Sequence, residues 1–520
     1  IGTGTNAVDT AVTTLTARAG AGGVFVLEAD DLTIDDVEVT IQRVDPEGAA
    51  APITDDTQSD VVTTAGGDVV IETTAGTLTL NDGTAPLAGG ADGDAIVADT
   101  TGNVRLAALG AGTDLVLNAD VRSGDGHLTL AAGAAVQMAL DTDAVTAAGS
   151  IEVTAGTDVT MDASATLVSA SGDVRVAAGS SITVGTITTG AEVGLTATGG
   201  SITESGTDAG EEISAAGLRM VAGTGIGLSG NALETGVDTI TARAAGGGIF
   251  VLESDAVTVG DVTVEIARVE ADADTATITD ATQSDVATTA GDGDIVLRTT
   301  AGDLTLTDGA ALADDTAVSA DGAGDVLIEA RGADTDVIAN ADIVSATGHV
   351  TVAGARDVLL GTATADVRSG DAGTIEVTAG TGSITQTDGS VIAGGSGDVR
   401  LLAATDVNVA AVVTSADVSI IAGTGSILDA GDAAAEVSAT GLRLSAGTGI
   451  GTGMNALDTA VTTLTARAGA GGVFVLEADA LAIDDVDVTI QRVDLEGDTA
   501  PITDDAQSDV VTTAGGDIVI

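Results

Sequence analysis

A chain of 520 residues without cysteine, lysine, tryptophan or tyrosine has no disulfide and no thiolate to work with. Its 16 basic residues are all arginine against 79 acidic ones, and a net charge of −63 argues against nucleic acid or an anionic membrane as a partner. Hydrophobic residues make up 44%, but Asp, Thr and Gly interrupt them everywhere, which excludes a membrane-spanning helix. A patterned apolar content also excludes a disordered acidic tail, so the charge reads as solvated outer faces.

The first stretch with character is TARAGAGGVFVLEAD at 16–30. It returns as TARAAGGGIFVLESD at 241–255 and as TARAGAGGVFVLEAD at 465–479, offset by 225 and then 224 residues. These stretches carry Phe25, Phe250 and Phe474, the only aromatic residues of the chain. Residues 1–71 and 450–520 align without a gap and differ at ten positions. We therefore read a first long repeat at 1–225, a second at 226–449 and a partial third at 450–520, together a window on a longer array. A terminus at Ile520 would cut a paired strand.

An acidic insert follows each phenylalanine stretch: RVDPEGAAAPITDDTQSDV at 43–61, RVEADADTATITDATQSDV at 268–286 and RVDLEGDTAPITDDAQSDV at 492–510. Pro46, Pro52 and Pro501 lie here, and proline donates nothing to a strand ladder, so the inserts are expected to leave the fold as loops. Pro86 marks a second expected loop at 83–99.

Short strands come next, each a small or polar residue followed by alternating Val, Ile or Leu. The first repeat reads DVVI at 68–71, NVRL at 103–106, HLTL at 127–130, SIEV at 150–153, DVRV at 173–176, EVGL at 192–195 and GLRM at 217–220. Their starts are 35, 24, 23, 23, 19 and 25 residues apart; the second repeat, from DIVL at 294–297 to GLRL at 441–444, gives 31, 24, 25, 24, 19 and 24. Two diverged copies that keep one uneven rhythm keep it for structural reasons. β-branched residues between Gly and Asp turns predict strands, with Val174 and Val176 inward and Asp173 and Arg175 outward. A coil of about 19–25 residues holding two or three short strands predicts a parallel β-helix, a β-solenoid whose coils stack at about 4.8 Å. Its narrow interior accepts aliphatic side chains. Phe25, between Val24 and Val26, should then lie outside and cover the base of the insert that follows it.

Candidate chemistry is sparse. His127 and His349 open equivalent strands, where a solvent-facing strand-edge role is expected, and neither has a nucleophile motif beside it. Threonine triplets at 14–16, 77–79, 186–188 and 463–465 do not recur on successive coils, so they build no flat ice-binding array. The acids Asp55, Asp56 and Asp60 recur as Asp280 and Asp285, then as Asp504, Asp505 and Asp509; with Asp30, Asp31, Asp35 and Asp36 they are the candidate calcium ligands. Ala281 replaces the middle acid of the second copy. No catalytic residue, cofactor or firm metal ligand is assigned.

Strings such as GDVRVAAGSSITVGTITTGAEVGLTATGGSIT at 172–203 and GDVRLLAATDVNVAAVVTSADVSIIAGTGSI at 397–427 resemble the repeat regions of filamentous-haemagglutinin-like exoproteins and related giant bacterial surface adhesins. That resemblance implies a right-handed helix, an extracellular or cell-surface location, and a long shaft without catalysis. The expected function is a mechanical spacer or adhesive fibre; the alternative is a calcium- or ligand-binding adhesin segment that uses the acidic inserts. Self-association, end to end or side by side, and divalent cations are the expected partners. A stack of about 23 coils would carry about one charge per 1.7 Å, near the axial charge density of duplex DNA, and would condense counterions.

Overall fold

The computed structural model describes all residues except 85–92, 208–209, 312–313 and 432–433. The described residues form strands and turns without an α-helix, and the chain divides into two compact units. Unit 1 comprises Ile1–Gly223 and Thr263–Ala281; unit 2 comprises Thr224–Val262 and Thr282–Ile520.

Both units are parallel β-solenoids. In unit 1, Val69 pairs with Val104, Val104 with Leu128, Leu128 with Ile151, Ile151 with Val174, Val174 with Val193 and Val193 with Leu218. In unit 2, Ile295 pairs with Val326, and the column runs on through Val350, Ile375, Val399, Val418 and Leu442. The uneven rhythm of the sequence is thus the coil length. Each full coil carries three strands, as in Leu128–Ala132, Val136–Met138 and Asp143–Thr146. Inward residues such as Leu106, Leu130, Val153, Val174 and Val176 are fully buried. Alternation of period two is what sends every second side chain into the core.

Glycine and a hydroxyl make one corner of the coil. A Cβ on Gly126, Gly149 or Gly172 would lie 2.0–2.4 Å from the carbonyl oxygen of the equivalent glycine one coil earlier, so only glycine fits the column. Ser123, Thr146 and Ser169 donate to those same carbonyls at 2.7–2.8 Å.

Two expectations need correction. The acidic inserts are not loops but two-stranded β-ribbons: Thr40–Val44 with Ala50–Thr54, Val262–Val269 with Thr275–Gln283, and Val486–Val493 with Thr499–Gln507. Proline is tolerated because Gln42 faces Pro52 and Gln491 faces Pro501. The Gln491 amide points out of the ribbon, toward Thr374 Oγ1, so its pair is one that exchanges no ladder bond. The second expected loop, 83–99, contains the strand Asp94–Ala98, which pairs with Val61–Thr63 and Asp120–Ser123. Pro86 lies outside the described residues.

Candidate functional site: ribbon clasps and aspartate ladders

The ribbon of residues 263–281 folds back over the outward face of unit 1. That face presents Thr129, Glu152 and Arg175 in register on three successive coils. Glu152 is fully buried there. Arg268 of the ribbon donates from Nε to Glu152 Oε2 at 2.7 Å and from Nη2 to Oε1 at 2.5 Å, a two-pronged pair. Arg175 donates from Nη1 to Glu152 at 3.1 Å, and from Nε to both oxygens of Asp280 at 3.1 Å. The backbone follows the same line. The amides of Glu265, Ala267 and Val269 donate to Asp173 Oδ2, Ser150 Oγ and Thr129 Oγ1 at 2.7–2.9 Å. Arg219 Nε donates to the carbonyl of Ala281 at 3.0 Å. Gly194 lies under the ribbon, where a Cβ would come within 3.1 Å of a Val264 methyl.

Unit 2 repeats this arrangement with its own residues. Arg492 donates to both oxygens of buried Glu376 at 2.6 Å, and Arg400 joins Glu376 at 2.7 Å to Asp504 at 3.0 and 3.1 Å. The amides of Thr489, Gln491 and Val493 donate to Asp398, Thr374 and Thr351 at 2.8–3.0 Å. Arg443 Nε donates to the Asp505 carbonyl at 3.2 Å.

Two of the three phenylalanines belong to the same clasp. Phe25 does point outward, between inward Val24 and Val26, yet it is buried, packed with Val70, Ala7 and Ala273. Ala273 is at the ribbon tip of the next repeat, so the ring is capped by that tip and not by the insert that follows it in sequence. Phe250 is likewise packed with Val296, Leu327 and Val493. Phe474 is only half-buried.

The acid candidates divide by role. Asp280 and Asp504 are committed to arginine. Ala281 and Asp505 each offer a backbone carbonyl, to Arg219 and Arg443, so alanine serves at this position; their counterpart Asp56 is exposed. Asp60, Asp285 and Asp509 all adopt the left-handed conformation, with φ of 63°, 69° and 68°. Their carbonyls accept from the Ala17, Ala242 and Ala466 amides at 3.0–3.1 Å, and so rejoin ribbon to coil. Burial pushes Asp60 and Asp285 up to about 6. Asp55 is exposed. Asp31 and Asp35 accept from the Thr77 amide and Asn81 Nδ2, and Asp36 from Ser59 and Thr84. Asp30 is exposed as well.

Much of the remaining aspartate forms ladders at the coil corners. Asp68 accepts the Asn103 amide and Asn103 Oδ1 accepts that of His127, at 2.8 and 2.9 Å. On other corners Asp120 accepts from Asp143, Asp342 from Asp366, Asp336 from Asp357 and Asp357 from Ser383. Each carboxylate satisfies a backbone amide of the next coil that the strand ladder leaves unpaired. Arginine sits where two acids stack: Arg122 between Asp94 and Asp120, Arg356 between Asp336 and Asp357, Arg368 between Asp342 and Asp366. Burial pushes the Asp68, Asp120 and Asp342 carboxyls above their ordinary range.

The histidines are rungs of the same ladder, which corrects the expected solvent-facing role. His127 Nδ1 accepts the Ser150 amide, and His349 Nδ1 accepts that of Thr374, both at 2.9 Å. Both rings are half-buried, and burial lowers the pKa of His127, as suits a ring that must keep Nδ1 free of a proton.

Nothing in the sequence marks Glu152 and Glu376 as the partners of Arg268 and Arg492. The available signal was glutamate recurring inside IEV at 151–153 and 375–377, together with arginine recurring in every insert. No protein-family model matches the sequence, and no curated protein or solved structure matches it.

Proposed function

We propose that this protein is a structural element, a stiff extracellular shaft or filament segment whose work is mechanical. The observation that carries this reading is the clasp, built twice from equivalent residues. Each one ties a ribbon across several coils through a buried glutamate and two arginines. Such a fastener opposes the failure mode of a solenoid, in which coils peel away from a neighbour one at a time. The aspartate ladders act in the same sense, because each coil's corner amides are satisfied by the coil before. Calcium binding through the inserts is the weaker reading, since Asp280 and Asp504 are already neutralised by arginine.

Electron microscopy of material from the producing cells tests the proposal. Unbranched fibres with an axial repeat of about 45–50 Å per long repeat would support a filament, at about 4.8 Å per coil. Thin rods of fixed length with a distinct head would support a stalk. Compact particles with neither form would overturn the mechanical reading.

A further inference from the structure

The first insert builds a shorter two-stranded ribbon of the same kind as the other two, but it covers nothing among the described residues. Val39, Ile41 and Val44 are 48%, 55% and 66% exposed. Their counterparts Val264, Ile266 and Val269, and again Val488, Ile490 and Val493, are at most 2% exposed. Arg43, the counterpart of Arg268 and Arg492, is exposed, with no carboxylate in ion-pairing range among the described residues. Thr40, Gln42 and Val44 occupy the positions of Thr489, Gln491 and Val493, whose amides point out of the ribbon to side-chain oxygens of the coil face. The first ribbon therefore presents an apolar row, a guanidinium and a strand edge, all on one side.

We infer that this side is the docking surface for one more solenoid repeat of the same kind, preceding Ile1 in the assembled array. The chemistry of the occupant follows from the two filled cases. It is a row of parallel coils presenting a threonine, a hydroxyl and an aspartate to the ribbon amides. A glutamate with its own arginine partner receives Arg43. Neither free-standing sheet edges nor a generic apolar partner meets all of these demands. The faces of this kind inside the chain, around Glu152 and Glu376, are already taken by their own ribbons. The inference deepens the shaft reading, because it makes each ribbon the fastener between one repeat and the next. It rests on the clasp geometry, so it can fail while the microscopy succeeds, and the reverse.

The test lengthens the chain. Ile1 matches Ile450, so placing residues 226–449 ahead of Ile1 recreates the Gly449–Ile450 junction. The protein has no cysteine, so Ile41→Cys gives a single thiol in the 520-residue chain and in the extended one. Reaction with a thiol reagent should be rapid in the first and slower by roughly two orders of magnitude in the second, as for a side chain reached only by local opening. Glu376→Leu, confined to the added segment, should restore much of the reactivity. Equal rates in both chains would overturn the inference. Concentration-dependent protection in the 520-residue chain would overturn it too, in favour of a second copy as the occupant. Circular dichroism of each variant checks that the solenoid is intact.

Discussion

The first and third ribbons share nearly the same residues and live in opposite surroundings. Thr40–Thr54 is open to solvent, while Val486–Gln507 is seated on coils that lie 62 to 142 residues earlier in the chain. Ribbon shape is therefore local, set by strand-forming residues and a tight turn. Its burial is not local and depends on the glutamate and hydroxyl row of a different stretch. A sequence comparison of the two ribbons would find them equivalent; only the partner face separates them.

Several perturbations should break or sharpen that contrast. The largest is Glu376→Ala, which leaves Arg400 and Arg492 without their shared carboxylate. Removing one member of a buried ion pair costs about 3–5 kcal/mol, so urea denaturation followed by circular dichroism should show a loss in that range. A loss below about 1 kcal/mol would mean that the clasp is decoration. Next comes Phe250→Ala, expected to cost about 3 kcal/mol because the ring is sealed between Val296, Leu327 and Val493, whereas Phe474→Ala should cost far less. Equal costs at the two positions would break the link between ring burial and the ribbon tip. Gly194→Val should lift the ribbon of unit 1 at a cost of about 1–3 kcal/mol, seen as a lower melting temperature and faster proteolysis of residues 263–281. Smallest is Arg43→Ala, which should change stability by less than about 0.5 kcal/mol, as for an ordinary exposed site.

Acidity acts on both units. Burial pushes Asp60 and Asp285 up to about 6, Glu253 to about 7 and Glu436 to about 8. Unfolded carboxyls titrate near about 4, so between about pH 4 and pH 8 these four groups bind more protons in the folded state than in the unfolded state. Stability from these groups is fully present below that window and is lost as pH rises through it. Melting temperature at fixed ionic strength should therefore be higher at about pH 5 than at about pH 8. The opposite order would mean that these four carboxyls do not govern the pH dependence.

The solenoid itself was legible in the sequence because each coil repeats one local code. A glycine at the corner, an aspartate or its stand-in, then alternating aliphatics leave little freedom, and the register from Val69 to Leu218 follows the counted spacing. The ribbons are not legible because Pro52 and Pro501 suggest loops, whereas a two-stranded ribbon has outward amide positions that tolerate proline. The role of His127 is not legible because strand-edge residues are usually wet, whereas here His127 and His349 each accept an amide of the next coil. The clasp was illegible for a deeper reason. Glu152 and Arg268 are 116 residues apart, and nothing near either one announces the other.

Native-state hydrogen exchange tests the central claim most directly. Gln491 and Val493 carry amides bonded to Thr374 and Thr351, while Gln42 and Val44 are the same residue types on the uncovered ribbon. If ribbons fasten coils, Gln491 and Val493 should exchange with the slowness of core strands such as Ile375–Ala379, and Gln42 and Val44 at nearly the rate of open loops. Rapid exchange at all four would contradict the account, because the third ribbon would then be lying on its coils without holding them.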